Sequence, residues 1–214
     1  MKNASVFQDS SSGGTALKFI FAFLILSLVS PSGMITKMTD TLYIPDQNIS
    51  VHGVDGENNP VLLEFNKAKK VLKKTEKGEK SEIKLADMPL FLKLFFFNAD
   101  KSSPESLAAS AKSISESLHA AGINTEVSTV SVSEYDGSAV WAIGKDKRFA
   151  KAGVLELSKE SMRPVTLKTG DETFVFSDYH RSQLPLAFPG NIKFFKNGVL
   201  QGEWIFLRDE YKQK

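Results

Sequence analysis

Three stretches decide the fold: SAVWAIG at 138–144, TLKTGDETFVF at 166–176 and NIKFFKNGVLQGEWIFL at 191–207. Apolar side chains alternate with polar ones along them, as Phe174 and Phe176 do. Alternation with a period of two is typical of a strand buried on one side and solvated on the other. The sequence therefore predicts a meander of short antiparallel strands that share one apolar face.

The last stretch carries the clearest turn signal. Asn197-Gly198 lies between two strand-like runs, and a type I′ hairpin turn needs positive φ at both central positions. A two-residue turn pairs Lys196 with Val199 and Phe195 with Leu200. Strand alternation then predicts one face with four large side chains: Phe195, Leu200, Trp204 and Phe206. Another part of the chain has to cover this surface.

One long helix is predicted to follow Ser103. Ser103 is a good cap, Pro104 suits the first turn, and Glu105 lies near the positive end of the helix dipole. Gly122 is placed to end the helix. The apolar stripe has helical spacing and small residues, which favours close packing on a sheet: Leu107, Ala111, Ile114 and Leu118.

A second covering element is predicted at Met88–Asn98, where the sequence is apolar on nearly every side. Periodicity alone does not separate a buried strand from a short buried helix here. Pro89 near the start favours the helical interpretation, which we adopt for Leu90–Phe97. With the strands, the two helices indicate an α+β fold.

The N-terminal residues predict export. Residues 1–14 are polar, and Lys18 precedes an apolar run, Phe19–Val29, that gives way to Pro and small residues. This pattern is typical of a secretory signal, and the run is short for a membrane span. We therefore expect a disordered leader and signal at 1–33, cleaved within Ser30–Met34, and one domain at 34–214. An uncleaved membrane anchor is the alternative.

The polar segment 39–84 is predicted to form strands at Thr41–Ile44, Ile49–His52, Val61–Phe65 and Lys70–Leu72. Lysines cluster between 67 and 80, with glutamates interspersed. A solvated hairpin explains them, and the functional alternative is a patch that faces an acidic partner or anionic lipid headgroups. The candidate partner-binding residues are Lys69, Lys70, Lys73 and Lys74.

Composition excludes several classes of function. The 214 residues contain no cysteine, which rules out disulfides, cysteine-ligated metals and thiol catalysis. A net charge of +2 gives no reason to expect a nucleic-acid partner. Sixteen phenylalanines are many for this length, and they concentrate in the predicted sheet and in Met88–Asn98.

No catalytic or metal-binding constellation is recognisable. The three histidines, His52, His119 and His180, are far apart and have no metal-ligand spacing. Asp178 and His180 flank Tyr179 and could enter an acid–base scheme, but residues on the wet face of a strand explain them better. The oxygen-rich run 55–59 lacks EF-hand spacing and favours a plain hairpin loop. We expect no enzyme activity, no cofactor and no metal.

Several short motifs follow one another in the C-terminal half: DGSAVWAIG at 136–144, SKESMRP at 158–164, FSDY at 176–179, and FP at 188–189 before the last hairpin. Their order resembles the periplasmic lipoprotein-carrier superfamily, the LolA-like and RseB-like half-barrels. The resemblance implies a strongly curved antiparallel sheet covered on its concave face by one long and one short helix. It also implies an apolar cavity that accepts acyl chains.

Together these features predict a monomeric periplasmic protein that holds lipid or lipoprotein acyl chains, and the resemblance implies a carrier to the outer membrane. The alternative is an RseB-like sensor that binds an envelope protein complex through its basic hairpin. The residues expected to line the acyl-chain cavity are Leu92, Phe95, Trp141, Ile143, Phe174, Phe176, Phe195, Leu200, Trp204 and Phe206.

Overall fold

The computed structural model describes residues 30–43, 48–97, 103–126, 130–144, 153–179 and 188–206. Its three α-helices are α1 (Pro31–Thr41), α2 (Leu90–Lys93) and α3 (Pro104–Ala120), and a 3-10 turn spans Leu85–Asp87. Eleven strands complete the described part: β1 (Asn48–Asp55), β2 (Pro60–Asn66), β3 (Val71–Glu76), β4 (Glu79–Lys84), β5 (Val130–Tyr135), β6 (Ser138–Ile143), β7 (Val154–Ser158), β8 (Pro164–Thr169), β9 (Glu172–Ser177), β10 (Asn191–Lys196) and β11 (Val199–Phe206).

All eleven strands form one open antiparallel sheet in the order β4-β3-β2-β1-β11-β10-β9-β8-β7-β6-β5. Two meanders, β1–β4 and β5–β11, meet where β1 pairs with β11, with Gly53 opposite Phe206 and Asp55 opposite Trp204. The connection from β4 to β5 carries α2 and α3. The prediction of an α+β fold built on a large antiparallel sheet is therefore confirmed.

One face of the sheet carries the core, and we call it the inner face. It is marked by buried side chains of four strands: Val51, Leu63, Phe174, Phe176 and Phe206. Residues from all three helices belong to the same buried cluster, among them Met34 of α1, Leu92 of α2 and Leu118 of α3. The helices therefore pack on the inner face, and α1 and α3 also contact each other.

Local predictions for the turn and the long helix are confirmed. Asn197 and Gly198 have φ angles of 51° and 76°, and the pairs Lys196–Val199 and Phe195–Leu200 form as expected. The Ser103 side chain caps α3 by accepting a hydrogen bond from the Ser106 amide at 3.2 Å. Gly122 follows the helix with a φ of +80°.

The strand predicted at Thr41–Ile44 is wrong for its described residues, because α1 extends to Thr41. Ser30 caps α1 and Pro31 begins it, and its buried residues Met34, Ile35 and Met38 have helical spacing. We had assigned the start of this pattern to the signal. The expectation of one long and one short helix therefore missed α1.

The apolar run at 19–29 and the rest of the predicted leader through residue 29 lie outside the described residues. Pro31–Gly33, which we had grouped with the leader, form the first turn of α1. Within the described ranges, no helix is long and apolar enough to cross a membrane.

Candidate functional site

Aromatic rings fill the space between α2 and the inner face. The ring of Phe91 stacks on that of Phe174, with 4.3 Å between centroids and 12° between planes, and its centroid lies 6.2 Å from that of Trp204. The ring centroid of Phe95 lies 5.2 Å from those of Phe176 and Phe188, edge to face. Such pairs contribute about 0.5–1.5 kcal/mol each beyond area burial. Ring contacts therefore hold α2 on the sheet.

The helix that carries Phe91 and precedes Phe95 is a single turn. The Pro89 carbonyl starts it by accepting hydrogen bonds from the amides of Leu92 and Lys93, each at 3.0 Å. Four residues cannot stay helical in water by themselves, because helix nucleation is unfavourable. The conformation of α2 therefore depends on its contacts with the sheet.

Little space remains beneath α2. A pocket between α2 and the inner face has a volume of about 30 Å³, room for roughly one or two water molecules. It cannot take an acyl chain while α2 is in place. Its walls are formed by Val61, Leu63, Lys74, Phe91, Leu92, Ile192, Trp204 and Phe206.

Polar groups close one end of this space. The Trp204 indole Nε1 donates a hydrogen bond to Glu76 Oε1 at 3.1 Å, and Lys74 forms an ion pair with the same carboxylate. Burial alone would raise the pKa of Glu76, but the hydrogen bonds from Lys74 and Trp204 outweigh it and leave the pKa below its usual value. Glu76 therefore stays ionised at neutral pH and fixes the Trp204 ring beside Phe91.

Eight of the ten residues predicted to line an acyl-chain cavity belong to the core or pack against it. Six are buried: Leu92, Phe95, Ile143, Phe174, Phe176 and Phe206. Trp141 and Trp204 are partly buried against the same cluster. These eight therefore share one buried cluster, although Trp141 and Ile143 are on β6, three strands away from β9, and their role as a ligand-binding surface stays a prediction.

Phe195 and Leu200 do not share a face with Trp204 and Phe206, as we had expected. The β10–β11 register shifts between Phe194 and Phe195, because Gln201 is an extra residue that leaves Phe194 opposite Gly202 and Phe195 opposite Leu200. A bulge of this kind reverses the alternation on one side of it. Phe195 therefore points to the outer face, and Leu200 is 49% exposed.

Sequence reasoning missed three aromatic residues at this site. Phe194 takes the place expected for Phe195, and its ring stacks on that of Phe174 with 4.9 Å between centroids. Phe91 lies in the apolar run that we had identified, but a run that is apolar on all sides does not say which side chains face the sheet. Phe188 contacts Phe95, Phe96 and Phe206, and its late FP motif was the only signal.

The four candidate partner-binding lysines lie on different sides of the molecule. Lys69 and Lys70 are in the turn between β2 and β3. Lys73 is exposed and lies opposite Glu64 and Glu82 on the neighbouring strands. Lys74 faces inward to Glu76. The cluster that is continuous in sequence is therefore divided in space.

A separate groove lies between α3 and the β3–β4 end of the sheet. Its volume is about 530 Å³, and we call it the basic groove. Lysines line one side, serines of α3 line the other, and the rings of Phe96 and Phe97 lie between them. The lining residues are Lys69, Lys70, Val71, Lys84, Leu85, Ala86, Lys93, Phe96, Phe97, Ser106, Ala109, Ser110, Ser113, Ile114 and Ser117.

Within the described ranges, no three His, Cys, Asp or Glu side chains are grouped as metal ligands. The Asp55 carboxylate instead organises its own loop, by accepting hydrogen bonds from the Glu57 and Asn59 amides and from the Asn59 side chain. His52 Nε2 lies 3.4 Å from Ser50 Oγ. His180 lies outside the described residues, so the Asp178–His180 pair is not placed.

Comparison with known proteins returns no relative. No protein-family model, no curated protein sequence and no solved structure matches the chain.

Proposed function

We propose that this chain is a non-enzymatic envelope protein that holds lipid or lipoprotein acyl chains against the inner face of a half-barrel. In this proposal the segment 90–97 is a plug that occupies the acyl-chain site until a chain displaces it. The resemblance suggests that the protein transports lipid or lipoprotein to the outer membrane. The observation that carries the proposal is the segment 90–97, whose Phe91 and Phe95 rings cover an aromatic sheet face.

Strong curvature of the sheet is supported by the bond between Trp204 and Glu76. These residues are on β11 and β3, which are three strand spacings apart, or roughly 14 Å at about 4.8 Å per spacing. Side chains on a flat sheet stand nearly perpendicular to it and would not meet across that distance. A sheet that bends toward its inner face brings them together, as a half-barrel requires.

Gly53 supports the same bend. It lies on β1 between the strands that Trp204 and Glu76 belong to, and a Cβ built there would come within 2.5 Å of the Ile205 carbonyl oxygen and 2.8 Å of the Phe206 ring. Any larger residue would push β1 and β11 apart. The junction of the two meanders is therefore built for close approach.

Displacement of the plug is energetically feasible. An acyl chain gains roughly 0.8 kcal/mol for each buried CH₂ group, so ten groups give about 8 kcal/mol. The ring pairs lost when α2 leaves are worth about 0.5–1.5 kcal/mol each, in addition to the apolar area exposed. The chain would replace that area with its own. Exchange of one apolar occupant for another therefore has a modest net cost.

The direct test is displacement of a fluorescent fatty acid, together with native mass spectrometry of the protein purified from its own host. We expect co-purifying lipid and saturable binding of the probe. Trp204→Ala and Phe176→Asp should weaken binding in variants that keep the native circular dichroism. If neither co-purifying lipid nor probe binding is detected, the proposed function is refuted.

The alternative, a partner surface on the hairpin Lys67–Lys80, has less support. A single docking face needs its charges on one side, and the lysines of this hairpin point in several directions. Lys67 is only 3% exposed, with its Nζ 4.8 Å from the centre of the Tyr43 ring, and Lys77 pairs with Glu57. Crosslinking that captures a protein partner through this hairpin, with a yield that falls as salt is added, would support this alternative.

A further inference from the structure

The basic groove has an excess of positive charge on one side. Four lysines line it, and no aspartate or glutamate does. Lys69, Lys70 and Lys84 are exposed and form no ion pair within the described ranges, and Lys93 Nζ donates a hydrogen bond to the Ala86 carbonyl at 2.7 Å. Clefts with one sign of charge and apolar walls concentrate counter-ions. The groove therefore attracts an anion.

The opposite side of the groove offers hydroxyl groups. Ser106, Ser110, Ser113 and Ser117 follow one face of α3 at helical spacing and all line the groove. Ser117 Oγ already donates a hydrogen bond to the Ser113 carbonyl at 2.9 Å, and a hydroxyl oxygen can also accept, so this side of the groove is polar but uncharged. None of the α3 residues that line the groove is charged.

The space between the two sides is apolar. Phe96, Phe97 and Ile114 form its buried floor, and Val71, Leu85 and Ala109 are the accessible apolar side chains above it. A volume of about 530 Å³ falls within the range of sites for a single small ligand, roughly 300–1,000 Å³. An ion alone would leave this apolar surface exposed.

We infer that the basic groove binds one anionic amphiphile, with its alkyl chain along Val71, Leu85 and Ala109 and its phosphate headgroup among Lys69, Lys70 and Lys84. This site is separate from the inner face, and its headgroup contacts, Lys69, Lys70 and Lys84, lie outside the segment 90–97. The segment 90–97 contributes to both, since Phe91 and Phe95 contact the sheet while Lys93 and Phe97 line the groove.

Titration calorimetry on the full chain tests this inference, with dodecyl phosphate as the probe and dodecanol and inorganic phosphate as comparison ligands. We expect dodecyl phosphate to bind more tightly than either. The double variant Lys69→Gln/Lys84→Gln should weaken it by about tenfold or more, the value of one or two charge-assisted hydrogen bonds. Its effect on dodecanol should be small.

Lys73→Gln/Lys80→Gln is the matched control, since it removes the same charge from exposed positions outside the groove. It should leave dodecyl phosphate binding within about twofold of the parent protein, because screening weakens distant exposed charges. Equal losses in both double variants would overturn the site. So would equal affinity for dodecanol and dodecyl phosphate, or binding of a glutamate-rich peptide at this site in place of dodecyl phosphate.

Trp204→Ala separates this site from the proposed function. Binding of dodecyl phosphate should survive Trp204→Ala and be lost in the groove variant. The reverse pattern would overturn the groove and leave acyl-chain binding at the inner face intact. Binding of dodecyl phosphate but not of the fatty acid by the parent protein would overturn the proposed function and leave the groove intact.

Discussion

Replacing Phe91 with alanine should tighten acyl-chain binding while it weakens the folded protein. Phe91 is half-buried and contacts the rings of Phe174 and Trp204. Two ring contacts at about 0.5–1.5 kcal/mol each sum to about 1–3 kcal/mol, which the variant removes from the state with α2 docked. If chains enter only after α2 leaves, the apparent dissociation constant should fall by about 5- to 150-fold.

Displacement of a fluorescent fatty acid measures the affinity, and urea unfolding measures the loss of stability. Phe194→Ala is the matched control, because its ring stacks on the same Phe174 ring, with 4.9 Å between centroids, but belongs to β10. It should cost similar stability with no gain in affinity. Weaker chain binding in Phe91→Ala than in the parent protein would refute the idea that α2 competes with the ligand.

Three further predictions concern the sheet and its loops. Gly53→Ala should force β1 away from β11 and lower the urea midpoint, whereas Gly56→Ala, whose Cβ meets nothing closer than 3.8 Å, should not. The hydrogen bond from the Asn59 side chain is the largest cause that lowers the pKa of Asp55 below 3.8. The stability that this loop contributes is therefore complete above pH 3.8 and is lost as the pH falls through the lower pKa of the folded state. Urea unfolding of Asn59→Ala should show a smaller loss of stability between pH 5 and pH 2 than the parent protein does. Tyr179→Phe should cost about 0.5–1.5 kcal/mol in urea unfolding, because it leaves the buried Pro164 carbonyl without its 2.8 Å hydrogen bond. No change in the midpoint would contradict that role.

Features that depend on neighbouring residues were predictable from sequence. The turn at Asn197-Gly198 follows from the positive φ that a type I′ turn needs, and the ends of α3 follow from Ser103, Pro104 and Gly122. Each of these signals acts within a few residues. Tertiary structure did not override them.

Features set by distant residues were not predictable. Because of the bulge at Gln201, Phe195 lies on the outer face and Phe194 takes its expected position on the inner face. The period-2 alternation of the sequence does not reveal one extra residue in a strand. Pairing of β1 with β11 joins residues about 150 positions apart and depends on the close approach at Gly53. The start of α1 was misread because the Ser30-Pro31 pattern fits both a helix cap and the end of a signal.

The basic groove could not be read from sequence either. Its lysines come from the β2–β3 turn, the end of β4 and the end of α2, and its serines come from α3. The lysine cluster in the sequence suggested a basic surface, but it included Lys73 and Lys74, which lie outside the groove. Only Lys69 and Lys70 were correctly grouped.

The most direct measurement of acyl-chain binding at the inner face uses tryptophan fluorescence. The chain has two tryptophans, so Trp141→Phe leaves Trp204, beside Phe91, as the only reporter. Titration of this variant with a fatty acid brominated along its chain should quench Trp204 fluorescence with saturation, since bromine acts only at close range. Binding of the brominated chain without quenching of Trp204 would contradict entry beneath α2.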